Sequence, residues 1–131
     1  NRCAYCDIIK MEMKSSRKIY NEKYAVAFAP YASQFHYEAW VLPKRHVDNI
    51  TELKPVEIKA LAQIMKHLSL KLKALNLPFN CFLHNVISDK HQHFYIKLQP
   101  RDSIWAGVEL GSGLIINSVP PEAAAKYYRQ K

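Results

Sequence analysis

The sequence is short of glycine, with three in 131 residues, and its three cysteines make an odd number. It has no run of about 18 apolar residues, so no segment is predicted to span a membrane. No apolar stretch follows Asn1-Arg2-Cys3, which predicts no secretory leader. An odd cysteine count without a leader argues against a disulfide framework and for reduced thiols or metal ligands in a cytoplasmic setting. The absent initiator Met predicts either a processed end or a segment of a longer polypeptide. Acidic residues are also scarce, 11 against 19 basic ones, giving a net charge of +8 that favours anionic partners. The Lys and Arg are scattered singly, without the aromatic-interleaved stripe of single-strand binders, so nucleic acid is disfavoured and small phosphorylated ligands are favoured. There are no repeats, low-complexity tracts or linkers, and 49% of residues are hydrophobic. One globular domain over 1–131 with a real core is expected.

Periodicity predicts the elements. A short helix runs from Cys3 to Lys10. Strands are expected at 17–21, 24–29, 38–43 and 80–85, at the segment from His91, and again at 114–117. The longest helix begins near Pro55, with Ile58, Leu61, Met65, Leu68, Leu72 and Leu75 alternating at spacings of three and four, and stops before Pro78. Pro121 opens a terminal helix with Glu122 in its first turn. The connections are mostly too short for parallel crossovers, which implies an α+β fold on an antiparallel sheet.

Chemistry concentrates at two places. His91-Gln92-His93-Phe94-Tyr95-Ile96-Lys97-Leu98, read with period two, puts Phe94, Ile96 and Leu98 on one face and His91, His93, Tyr95 and Lys97 on the other. The two imidazoles then lie roughly 6 to 7 Å apart, close enough to serve one site. Cys3-x-x-Cys6 offers two soft ligands on one turn, half of a structural zinc site. The other ligands must come from afar, and His46 and His91, at strand ends, are the candidates. Zinc held by Cys3, Cys6, His46 and His91 would pin the amino end to two strands and contribute folding free energy. The plain alternatives are two small buried thiols and a surface strand with solvated histidines.

Together these strings resemble a known family. Cys3-x-x-Cys6-Asp7-Ile8-Ile9, Tyr24 to Phe28, Val41-Leu42-Pro43-Lys44-Arg45-His46 and His91-x-His93 leading to Pro100-Arg101 resemble the histidine-triad superfamily. Pro30-Tyr31-Ala32-Ser33, Phe35 to His46, the H-x-H-F-Y string and Ala106-Gly107-Val108-Glu109 through Gly113, with Ile116-Asn117, resemble more narrowly the carboxyl-terminal half of galactose-1-phosphate uridylyltransferases. The resemblance implies a histidine-triad-like sheet with one long helix and a terminal helix. It also implies ping-pong uridylyl transfer from UDP-glucose to a hexose 1-phosphate through a covalent histidine adduct.

On that reading the chain is the zinc-bound second half, partnered by a catalytic amino-terminal domain or by a second copy of itself. His93 stands where the catalytic half carries its nucleophile, although Gln92 replaces the family's Pro and Tyr95 its Gln. The resemblance also implies a competing metal set, His84, His91 and His93 with a carboxylate from another domain, because related histidines of the family's second half can bind metal. Glu109 would meet hexose hydroxyls on a backbone cleared by Gly107, Gly111 and Gly113, with Asn117 and Arg101 also assigned to substrate. A bulged hairpin is the plain account of that glycine cluster. The alternative function is a stand-alone histidine-triad protein that binds or hydrolyses nucleotides through His93.

Overall fold

The computed structural model describes residues 3–87 and 91–130. Its elements are α1 (Ala4–Glu12), β1 (Lys18–Asn21), β2 (Ala25–Phe28), β3 (Ala39–Pro43), α2 (Pro55–Ala74), β4 (Phe79–His84), β5 (Tyr95–Pro100), α3 (Gly107–Ser112) and α4 (Pro121–Arg129). Five antiparallel strands form one sheet in the order β1-β2-β3-β5-β4. This is the expected α+β architecture.

Strand alternation sorts the side chains into two layers. Ala25, Ala27, Ala39, Val41 and Leu98 face one side, where Leu61, Ile64, Leu68 and Leu72 of α2 and Ala124, Ala125 and Tyr128 of α4 cover them. Val26, Phe28, Leu42 and Tyr95 face the other side, under Ile9 of α1. Small residues on the first face let α2 lie close to the sheet, and each large apolar side chain buried there contributes about 1.5–3 kcal/mol. The buried row of α2 is Leu61, Ile64, Leu68 and Leu72, whereas Ile58, assigned to that row from the sequence, points outward. The helix ends as Asn76 takes a left-handed conformation (φ 55°), which Asn tolerates at this position, two residues before Pro78.

One expected strand is absent, and the plain account of the glycine cluster is set aside. The strand expected at 114–117 is irregular. Leu114, Ile115 and Ile116 form a short apolar run, but the sheet's outer strands are β1 and β4, and neither pairs with it. The glycine cluster is no bulged hairpin. Gly107 opens the short helix α3, and Gly113, at φ 72°, ends it as a left-handed cap.

Three polar ties hold the layers. Arg17 on the approach to β1 bonds Glu12 of α1 and Glu122 of α4, joining both faces. The Tyr128 hydroxyl donates to the Tyr37 carbonyl at 2.6 Å, and burial raises its pKa. Arg45, just beyond β3, forms a two-pronged ion pair with the buried Glu57 at 2.8 and 2.9 Å, and its Nη2 also donates to the Glu52 carbonyl. The Arg45 guanidinium holds the Glu57 carboxyl below the usual carboxylate range.

Candidate metal centre and substrate residues

Cys3 is the N-cap of α1 and Cys6 lies in its first turn, so the helix start itself sets the two sulfurs side by side. The opposite half of the site comes from the β3–β5 pairing, in which Val41 faces Ile96. Beyond that ladder the Phe94 amide donates to the Val47 carbonyl at 2.7 Å, so the chain after β3 wraps against the chain before β5. This brings the rings of His46 and His93 to 5.3 Å between centroids, nearly perpendicular.

The donor atoms of Cys3, Cys6, His46 and His93 all lie within 4.8 Å of one another. The Cys6 sulfur stands 3.4 Å from Nδ1 of His46 and 3.6 Å from Nδ1 of His93. A tetrahedral ion with metal–sulfur bonds near 2.3 Å and metal–nitrogen bonds near 2.0 Å separates its sulfur and nitrogen ligands by about 3.5 Å. The four side chains therefore fit one tetrahedral metal ion. Burial, and then the neighbouring Cys3, push the Cys6 thiol up to about 11, so a bound ion must displace its proton. Arg45 and its ion pair with Glu57 brace the loop that carries the adjacent His46.

The sequence placed His91 in this set, and the structure places His93 there instead. β5 begins only at Tyr95, so His91 sits at a turn before the regular strand, exposed and outside the group of four. His93 lies at the point where the post-β3 loop closes. Spacing alone could not separate the two histidines. The register of β3 against β5 does so, and no local signal reveals it.

His93 is also a poor nucleophile as folded. Its side chain is 0% exposed, Nε2 bonds the Pro43 carbonyl at 2.9 Å and Nδ1 faces Cys6. Burial lowers its pKa, which keeps the ring neutral as a metal ligand requires. His84 lies elsewhere, on the sheet face under α1, stacked on Tyr95 at 4.7 Å, with Tyr95 in turn stacked on Trp40 at 4.8 Å. Its Nε2 lies 3.3 Å from the Gln92 side-chain oxygen.

The residues assigned to substrate do not all converge. Gly107 and Glu109 share α3, where the Glu109 carboxylate accepts the Ala106 amide at 3.1 Å and so caps the helix. A Cβ built on Gly107 or Gly111 would meet nothing within 4 Å. Asn117 is occupied by the fold: Nδ2 donates to the Ser33 and Phe35 carbonyls, and Oδ1 accepts the Val119 amide. Arg101 is exposed just after β5, its amide bonded to the Pro78 carbonyl.

A family model described as "Scavenger mRNA decapping enzyme C-term binding" matches residues 2–111. The chain belongs to this family, a histidine-triad-like one. A galactose-1-phosphate uridylyltransferase of Thermotoga maritima is 29% identical over 98% of this chain and 45% of its own length. The crystal structure of an ADP-glucose phosphorylase from Arabidopsis thaliana with bound ADP-glucose superposes with a TM-score of 0.80 at 28% identity, covering 99% of this chain and 44% of that one. A histidine-triad family protein from Bacillus anthracis has the same fold, with a TM-score of 0.63 at 22% identity over 85% of this chain and 86% of its own. Within the histidine-triad family, the chain is of the type of the uridylyltransferase carboxyl-terminal half, and it spans less than half the length of the curated relatives it matches.

Proposed function

We propose that this chain is the zinc-bearing second half of a cytoplasmic nucleotidyltransferase of the galactose-1-phosphate uridylyltransferase type, moving a uridylyl group from UDP-glucose to a hexose 1-phosphate. The burial of His93 carries this reading. A histidine that forms a covalent nucleotidyl adduct must reach phosphorus, and an imidazole with 0% exposure and both nitrogens engaged does not. The nucleophile therefore comes from a partner domain, and this half contributes scaffold and hexose contacts.

Zinc suits the four donors. Two thiolates and two imidazoles leave no open coordination position, so the ion would be structural, tying the start of α1 to β3 and β5. Unprotected ligand thiols fit a reducing cytoplasm. Once zinc is bound, it supplies folding free energy and takes no part in the transfer.

Exposed apolar surface supports a partner domain. Ile104, Val108, Leu110, Leu114 and Ile116 stand in solvent, Ile104 at 95%, and the outer strand β4 exposes Phe82 and Leu83 on an unpaired edge. Surfaces of this kind are ordinarily covered. On this reading Glu109 meets the hexose on a backbone left open by Gly107 and Gly111, with Arg101 available to phosphate. Asn117 acts indirectly, by holding the loop at Ser33–Phe35.

The test is incubation of the isolated chain, loaded with zinc, with UDP-glucose labelled in the uridylyl group. No acid-labile adduct should form on it, and transfer to hexose 1-phosphate should require a partner domain. A stoichiometric adduct on this chain, lost in His93→Asn, would establish a self-sufficient protein instead.

A further inference from the structure

A second constellation lies apart from the metal centre. His36, in the loop between β2 and β3, directs Nδ1 at Asp102 Oδ2, 2.6 Å away. Its other nitrogen, Nε2, lies 3.0 Å from the Ser118 hydroxyl and also receives the Ser118 amide N–H at 3.3 Å. A backbone N–H can only donate, so Nε2 carries a lone pair. The ring proton is then on Nδ1, where it is donated to the carboxylate. Hydroxyl, imidazole and carboxylate thus stand in series, with the ring proton on Nδ1 and the single Nε2 lone pair shared between the Ser118 hydroxyl, at the shorter distance, and the Ser118 amide.

Each member is held from a different stretch of chain. The His36 and Asp102 side chains are 18% and 20% exposed, so the pair is largely shielded while Ser118 remains at the surface. Asn117 fixes Ser118 opposite His36 by bonding the carbonyls of Ser33 and Phe35. Phe35 stacks on Trp105 at 6.0 Å, joining the segment of His36 to that of Asp102. Tyr37, next to His36, is held at φ 56°, a left-handed conformation that a bulky side chain adopts only under constraint from its surroundings.

We infer that Ser118 is a nucleophile activated by His36 and Asp102, and that it takes small activated acyl esters. The Ser118 oxygen attacks the carbonyl carbon while its proton passes to His36 Nε2, and Asp102 stabilises the resulting imidazolium. Collapse of the tetrahedral adduct breaks the ester bond, and the departing alkoxide or phenoxide takes that proton, leaving an acyl-serine that water later hydrolyses. The neighbouring amides limit the substrate class. The Val119 N–H is bonded to Asn117 Oδ1 and the Ser118 N–H to His36, so neither is directed at a developing oxyanion. Esters with good leaving groups should therefore acylate Ser118, and the acyl group should leave slowly.

The test treats the intact, zinc-loaded protein with a fluorophosphonate probe and, separately, with p-nitrophenyl acetate, and locates the adducts by peptide mass spectrometry. Ser118 should react about a hundredfold faster than Ser33, Ser69 or Ser112 in the same molecule. His36→Gln should remove that advantage, and Asp102→Asn should slow the reaction about tenfold or more. Both variants should keep their zinc. Equal labelling of Ser118 and the other serines in the wild-type protein would overturn the assignment, leaving the trio as a tie between loops. So would a folded His36→Gln protein that labels at the original rate. The comparison within the wild-type chain decides the matter even if a variant fails to fold.

Discussion

The Nε2–H of His93 donates to the Pro43 carbonyl at 2.9 Å, and this bond determines which ring nitrogen faces Cys6. A carbonyl cannot donate, so the proton sits on Nε2 and the lone pair on Nδ1, 3.6 Å from the Cys6 sulfur. The hydrogen bond thus orients the donor before any ion arrives, as outer partners of metal-bound histidines do elsewhere.

His93→Ala should therefore abolish stoichiometric zinc, while His91→Ala should retain it. Elemental analysis of the purified variants checks both. Cys3→Ser with Cys6→Ser should behave like His93→Ala and should lower the melting temperature, since a bound ion would tie α1 to the sheet. Retention of zinc in that double variant, with loss in His91→Ala, would favour the set of His84, His91 and His93.

Much of the fold was legible, and the reasons are local. Five strands and three helices appear within a few residues of their expected positions because period-two and period-three-to-four patterns record burial directly. The failures concern relations between distant segments. At 114–117 the apolar run is present, yet Asn117 spends its amide on Ser33 and Phe35 and no described strand lies alongside. His91 and His93 read alike in one dimension, and only the pairing of β3 with β5 separates ligand from neighbour. The grouping of His36, Asp102 and Ser118 spans 82 residues and left no pattern in the sequence.

Glu57 gives a pH dependence. Its carboxyl lies below its ordinary value in the folded chain because Arg45 and the Lys54 amide bond the charged form. A depressed carboxyl contributes stability above the unfolded value of about 4.3, and that stability is lost as pH falls through the lower folded value. Glu57→Gln should remove this acid-limb contribution and cost about 1–2 kcal/mol at neutral pH, because the charge-assisted bonds that the buried carboxylate receives from Arg45 and the Lys54 amide are lost, while the half-exposed Arg45 stays solvated. Urea unfolding of both proteins between neutral and acid pH checks it. Parallel stability curves across the acid range would exclude a role for the pair.

Gly111 lies inside α3, where nothing within 4 Å would oppose a Cβ. A helix-interior glycine costs about 1 kcal/mol relative to alanine, so the fold alone gives no reason to keep it. Gly111→Ala should leave the isolated chain equally or more stable. In the complete enzyme it should impair use of hexose 1-phosphate if the backbone is cleared for a sugar. A gain in stability with unchanged transfer would remove the glycines from the substrate site.

Glu109 has two roles to separate, because its carboxylate accepts the Ala106 amide and so caps α3. Capping is a local duty that Gln can share, since an amide oxygen also accepts. Charge-assisted hydrogen bonds to sugar hydroxyls, worth about 1.5–3 kcal/mol when sheltered, are lost in Gln and Ala alike. In the complete enzyme both Glu109→Gln and Glu109→Ala should therefore slow the hexose 1-phosphate half-reaction by about ten- to a hundredfold while sparing formation of the uridylyl intermediate, as burst kinetics can resolve. Only Glu109→Ala should also lower the melting temperature. A Glu109→Gln enzyme with full activity beside a weakened Glu109→Ala enzyme would identify the carboxylate as a cap alone and would move the sugar site away from α3.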